Sequence, residues 1–86
     1  MRDATDRINV VVREVLEDIT GASAETIRPR DRLVDDLKAT GDDLSFVFVP
    51  AVERQLGVHV PQDAWRRVFT VQDAVEVLRV ALAERP

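Results

Sequence analysis

The chain has 86 residues, of which 45% are hydrophobic, and it carries a formal net charge of −4. A chain of this length suffices for one hydrophobic core, so we expect residues 1–86 to form a single domain. The negative charge argues against binding of nucleic acid, which requires clustered positive charge. There is no cysteine, which excludes disulfides, thiolate metal sites and a cysteine nucleophile.

The distribution of hydrophobic residues indicates a soluble protein of the cytoplasm. No apolar run approaches the roughly 20 residues that a membrane-spanning helix needs. The first residues, from Met1 to Asp6, are too acidic and too polar for a secretory signal peptide. We therefore expect no membrane span and a cytoplasmic location.

The first predicted element is an amphipathic helix over residues 3–20. Its apolar residues recur at intervals of three and four, which places them on one helical face. They are Ile8, Val11, Val12, Val15, Leu16 and Ile19. Asp3 or Thr5 is suited to cap the start, and Gly21 stands just past the end, where glycine often terminates a helix.

A long loop is predicted over residues 22–40. Pro29 disfavours helix at the residue before it. A loop of this length is unusual in a small domain unless it is anchored or functional. Isolated apolar residues are expected to anchor it to the core. They are Ile27, Leu33, Val34 and Leu37.

The second predicted helix covers residues 43–56. Asp42 or Asp43 is suited to cap it, and Gly57 to end it. Part of its apolar face repeats at intervals of four. This series is Leu44, Phe48, Val52 and Leu56. Pro50 removes a backbone hydrogen bond and clashes with the preceding turn, so we expect a kink or a loosened turn just before it.

The rest of the chain is predicted to form a short link, a helical turn and a last helix. The link covers residues 58–61, the turn 62–68 and the last helix 70–83. We expect Trp65 and Val68 of the turn to face inward. The apolar residues of the last helix share one face. They are Val71, Ala74, Val75, Leu78 and Leu82.

The start of the last helix has the pattern of a capping box. Thr70 stands at the cap position, and Asp73 follows three residues later. Together the elements predict an all-α fold, a small bundle of three main helices plus a short helix, with a long first loop.

The order and spacing of these elements resemble the acyl carrier protein family. In that family a helix and a long loop lead to an Asp-Leu-Gly-x-Asp-Ser-Leu stretch, whose serine opens the second helix. The matching segments here are the Asp36-Leu37 pair, the helix end at 51–57, the link at 58–61 and the helix start at 70–74. Together with the leading helix, the resemblance covers essentially the whole chain and implies the fold of that family.

The serine that carries the prosthetic group in that family is missing. Where the family has Asp-Ser-Leu, this chain has Thr-Gly-Asp-Asp-Leu at residues 40–44, with about one extra residue between Leu37 and Ala51. Gly41 or Asp42 therefore stands at the serine position, and we favour Gly41. The Gly-Asp-Asp form also resembles a group of uncharacterised, carrier-like bacterial proteins that lack the serine.

The missing hydroxyl excludes the attachment chemistry that the resemblance implies. In a carrier protein the serine hydroxyl attacks coenzyme A and becomes the ester oxygen that holds phosphopantetheine. Glycine has no side-chain atom for this step, and an aspartate would form a labile acyl phosphate. We therefore expect no cofactor. Phosphopantetheine would be present only if a nearby hydroxyl, that of Ser45 or Thr40, were modified instead.

The remaining candidates indicate a protein partner. The resemblance implies that carriers present acidic residues of the second helix to basic enzyme surfaces. The candidate contact residues here are Asp36, Asp42, Asp43, Phe46, Val49 and Glu53. We expect a non-enzymatic protein-interaction module linked to acyl or natural-product biosynthesis, with a basic-surfaced biosynthetic enzyme as its partner.

Other functions remain open from the sequence. The acidic residues could form a solvated loop and a helix cap, or a weak divalent-ion site, although their spacing does not match an EF-hand. The chain could be a genuine acyl or peptidyl carrier modified at a non-standard residue, or a structural or oligomerising domain. His59 is the only histidine, and no catalytic triad or phosphate-binding glycine loop is present, so we expect neither catalysis nor a metal site.

Overall fold

Four helices account for most of residues 4–84, the part of the chain that the structure, a computed structural model, describes. They are α1 at Ala4–Thr20, α2 at residues 41–56, α3 at Gln62–Trp65 and α4 at Val71–Glu84. A single 3-10 turn at Ala24–Thr26 interrupts the long loop between α1 and α2. Three long helices and one short helix confirm the all-α fold predicted from the sequence.

The buried face of α1 forms one wall of the core. Every residue predicted for this face is buried except Ile19, which is half-buried. α1 packs against both α2 and α4. It ends as predicted at Gly21, whose φ of 79° suits glycine. Thr5 lies inside the helix and does not cap it, and the alternative cap, Asp3, lies outside the described residues.

The interior of the bundle is filled by large side chains from α1, α2 and α4. Ile8, Leu16, Phe48 and Leu78 are among those with almost no exposure to solvent. Burial of each such side chain contributes about 1.5–3 kcal/mol to folding. Because all the long helices contribute, their relative positions are fixed by a common core.

The long loop is attached to the start of α4 by backbone hydrogen bonds. The Leu33 N–H donates to the Phe69 carbonyl at 2.9 Å, and the Val71 N–H donates to the Asp31 carbonyl at 3.0 Å. Ile27 and Leu33 are buried as predicted, and Leu37 is half-buried. The prediction was wrong for Val34, which is exposed because the side chain that enters the core here belongs to its neighbour Leu33.

The start of α2 differs from the prediction. The helix begins at Gly41, and its cap is Thr40, whose hydroxyl accepts a hydrogen bond from the Asp43 N–H at 3.0 Å. Thr40 has the extended backbone that a cap requires. Asp42 and Asp43 therefore lie inside the first turn, where their negative charge is favourable beside the positive end of the helix dipole.

The turn before Pro50 is loosened, as predicted. Residues Leu44–Phe48 form a π-helical segment, in which the Val49 N–H donates to the Leu44 carbonyl five residues earlier. Regular α-helix resumes at Val49–Leu56 and ends at Gly57, whose φ is 67°. The wider π turn leaves room for the proline ring. It also fits the loss of the backbone hydrogen bond that proline, without an N–H, cannot donate.

The third helix is shorter than the predicted 62–68, while the predicted capping box is confirmed. After Trp65 the chain forms a tighter turn, in which the Val68 N–H donates to the Trp65 carbonyl three residues earlier. The Asp73 N–H donates to the Thr70 hydroxyl at 3.1 Å, and the Thr70 N–H donates to the Asp73 carboxylate at 3.2 Å. These two bonds fix the start of α4.

Removal of this cap is expected to weaken the fold measurably. Thr70→Ala deletes the oxygen that accepts from the Asp73 N–H, and we expect it to lower the free energy of unfolding by about 0.5–2 kcal/mol. Urea denaturation monitored by circular dichroism measures the loss. Gln72→Ala, an exposed change in the same turn, is the control, with an expected change within about 0.5 kcal/mol. Equal losses in both variants would contradict a stabilising role for the cap.

Candidate functional site

The start of α2 borders a small apolar cavity of about 170 Å³. The cavity lies between α2, the long loop and the segment around α3. Its lining residues are Leu33, Gly41, Leu44, Ser45, Phe48, Val49, Trp65 and Val68. A larger open cavity of about 630 Å³ lies between the 57–61 link and α4. None of the candidate residues lines that larger cavity, so the candidate site is assigned to the smaller cavity at the start of α2.

Gly41 has room for a side chain. Its backbone does not adopt a positive φ, and a Cβ built on it would meet no atom within 4 Å apart from its chain neighbours and the adjacent backbone of its own helix. The fold therefore does not require glycine at this position. Because Gly41 offers no hydroxyl, the residues at the start of α2 do not fit covalent attachment of phosphopantetheine there.

The two nearest hydroxyls have different surroundings. The Thr40 hydroxyl is occupied as the cap of α2, so its modification would remove that cap. Ser45 is exposed and lies one turn beyond Gly41, within the π segment and at the edge of the small cavity. Of the two, Ser45 has the more available hydroxyl.

The aspartates of the candidate set lie near one another in the chain but differ in their contacts. Asp42 is exposed, and Asp43 is half-buried in the first turn of α2. The Asp36 carboxylate accepts a hydrogen bond from the Arg32 N–H at 2.8 Å and thereby shapes the loop. Among residues 4–84, no three acidic or histidine side chains are grouped as metal ligands would be.

Glu53 is engaged inside the fold. Its Oε2 atom accepts hydrogen bonds from the Val60 N–H at 2.8 Å and from the Trp65 indole N–H at 3.3 Å. The His59 Nδ1 atom lies 3.7 Å from the same oxygen, and only 16% of the Glu53 side chain is exposed. This carboxylate ties α2 to the link and to α3, which leaves it little surface for a partner.

The apolar residues around the π segment divide between core and surface. Phe46 is 76% exposed and Val47 is 48% exposed, whereas Phe48 is 1% exposed. The Phe48 ring packs edge-on against Trp65, with 5.9 Å between the ring centroids. Val49 is half-buried at the cavity. Phe46, one of the candidate contact residues, is therefore on the surface.

Comparison with known proteins places this arrangement in a family. The acyl carrier protein of Nitratidesulfovibrio vulgaris strain DP4 is 32% identical to this chain over 65 residues, which are 76% of this chain and 84% of the relative. This chain belongs to the acyl carrier protein family. The acyl carrier protein of strain Miyazaki F is 29% identical over 68 residues, 79% of this chain and 88% of the relative. No family model matches the chain.

Membership of the acyl carrier protein family agrees with the helix order and with the resemblance found in the sequence motifs. The relatives are named as carriers and not as enzymes. None of the helices in the described part of the chain is long and apolar enough to cross a membrane.

Proposed function

We propose that this protein is an acyl carrier protein without the attachment serine, and that it acts as a non-enzymatic protein-interaction module linked to acyl or natural-product biosynthesis. The proposal rests on Gly41, an exposed residue at the start of α2 that offers no atom for attachment of phosphopantetheine. The cytoplasmic location expected from the sequence is part of the same proposal.

The π segment favours Gly41 over Asp42 as the counterpart of the serine. The backbone hydrogen bond of a π turn joins residues five apart, whereas that of an α turn joins residues four apart. A π turn therefore holds one residue more than an α turn. The extra residue between Leu37 and Ala51 can therefore be accommodated within Leu44–Phe48. The helix start is then unshifted, with Thr40 as the cap and Gly41 as the first helical residue.

The proposed partner is a protein with a basic surface, which is attracted to the acidic approach to α2. Asp36 and Asp42 are exposed there, and Phe46 offers apolar contact area one helical turn from Asp42. Opposite charge would steer such a partner to this end of the molecule. Asp43 and Val49 are half-buried and would contribute less, and Glu53 is bonded within the fold.

The experiment is co-expression with a promiscuous phosphopantetheinyl transferase, followed by measurement of the intact mass. We expect the natural chain to keep its unmodified mass and Gly41→Ser to gain one phosphopantetheine. The added Cβ has open space around it, so the variant should fold normally. Asp42→Ser is the matched control, and it should stay unmodified if Gly41 is the serine counterpart.

Three outcomes would contradict parts of this proposal. A mass gain in the natural chain that Ser45→Ala abolishes would make the protein a genuine carrier modified at a non-standard residue. Modification of Asp42→Ser but not of Gly41→Ser would move the counterpart of the serine to residue 42. A folded Gly41→Ser chain that stays unmodified would show that the surrounding surface has lost recognition by the transferase.

A further inference from the structure

An exposed row of side chains runs along the outer side of α2 at intervals of four residues. It consists of Asp42, Phe46, Pro50 and Arg54, all of which are exposed. We refer to these four residues as the α2 row. Residues four apart share a face of an α-helix, and the wider π turn at Leu44–Phe48 reduces the drift of such a row around the axis. The two ends of the α2 row carry opposite charges, and its two middle residues are apolar.

The α2 row has no partner among residues 4–84. Asp42 and Arg54 take part in none of the ion pairs of the described chain. Phe46, at 76% exposure, is the most exposed of the large hydrophobic side chains there. With Val47 beside it, Phe46 forms an apolar centre between two charges, the arrangement of a contact surface.

The α2 row is complementary to an inverted copy of itself. Asp42 and Arg54 each stand six residues from position 48, on opposite sides of it along the helix. If a second α2 lay antiparallel across the first, with a twofold axis at this level, Asp42 of each copy would meet Arg54 of the other. Phe46 of each copy would meet Pro50 of the other. A parallel arrangement would instead place like charges together.

We propose that this protein forms a twofold dimer in which the α2 rows of two copies pack antiparallel. Such an interface uses the same patch on both copies, as twofold symmetry demands. A uniformly basic partner would attract Asp42 but repel Arg54, whereas a second copy satisfies both charges. The dimer goes beyond the proposed function and does not depend on it.

The expected dimer is weak and sensitive to salt. One helix face from each copy buries an area at the low end of specific interfaces, so association requires high protein concentration. The two ion pairs lie at the rim and are screened by salt. Dissociation would expose the acidic end of α2 to other partners.

Charge exchange tests the dimer directly by sedimentation equilibrium at low salt. Asp42→Arg places arginine opposite arginine, and Arg54→Asp places aspartate opposite aspartate, so each variant alone should dimerise about tenfold more weakly than the natural chain. An equal mixture of the two should recover the natural affinity, because each chain then meets the opposite charge. The double variant should recover it as well. Circular dichroism checks that every variant is folded.

The results that would overturn the dimer are equally definite. A natural chain that remains monomeric up to about 1 mM has no useful self-affinity and excludes the dimer. Single variants that are weakened without recovery in the mixture would exclude the antiparallel pairing. Either result leaves the mass experiment on Gly41→Ser unaffected, so the two proposals fail separately.

Discussion

Replacement of Phe48 by alanine is expected to lower the free energy of unfolding by about 3–5 kcal/mol. The Phe48 ring is 1% exposed and packs edge-on against Trp65 at 5.9 Å between centroids. Its removal leaves a cavity at the junction of α2 and α3, and the contact between the two rings is lost as well. Because small domains are stable by only about 5–15 kcal/mol, a large share of the molecules could unfold.

The matched control for this change is Phe46→Ala, two residues earlier in the same helix. Phe46 is 76% exposed, so its replacement should change stability by no more than about 0.5 kcal/mol. Urea denaturation followed by Trp65 fluorescence and by circular dichroism measures both variants. A larger loss for Phe46→Ala than for Phe48→Ala would mean that the π segment is turned differently and that the two rings have exchanged places.

The sequence predicted those parts of the fold that depend on local patterns. The faces of α1 and α4 follow from apolar residues spaced by three and four, which are visible without a structure. The capping box at Thr70 and the glycine ends at Gly21 and Gly57 depend only on residue type and short spacing. The loosened turn before Pro50 was also predictable, because proline cannot make the normal backbone bond.

Other features depend on packing between distant segments and could not be read from the sequence. Both Leu33 and Val34 looked able to anchor the loop, but only Leu33 is buried, because its N–H is bonded to Phe69 across the chain. The sequence predicted Asp42 or Asp43 as the cap of α2, but the backbone of the incoming loop places Thr40 at the cap position instead. Such choices are decided by tertiary contacts.

For the candidate site, the sequence predicted a missing attachment serine but not the environment of the neighbouring residues. The absence of a hydroxyl at Gly41 or Asp42 is a matter of residue identity. That a side chain would fit at Gly41 without contact could be established only from coordinates. The sequence also grouped Glu53 with the partner-binding candidates, since the family resemblance implies that acidic residues of the second helix face partner proteins.

Replacement of Glu53 by alanine is expected to lower the free energy of unfolding by about 2–4 kcal/mol, since it removes the acceptor of two hydrogen bonds. The donors left behind are the Val60 N–H and the Trp65 indole N–H, both in partly buried surroundings. Loss of these bonds releases the link from α2. The emission of Trp65 in the folded variant should also shift to the red, because water reaches the indole.

Two neighbouring variants separate the hydrogen bonds from the charge. Glu53→Gln keeps an oxygen acceptor and should lose less stability than Glu53→Ala. His59→Ala removes a side chain that is 85% exposed and lies 3.7 Å from Glu53, so it should change stability by no more than about 0.5 kcal/mol. If Glu53→Ala proved as stable as the natural chain, the carboxylate would be free for a partner. If Glu53→Ala is destabilised, the Glu53 carboxylate has a structural role. Its hydrogen bond then fixes the position of Trp65, which lines the same cavity as Gly41.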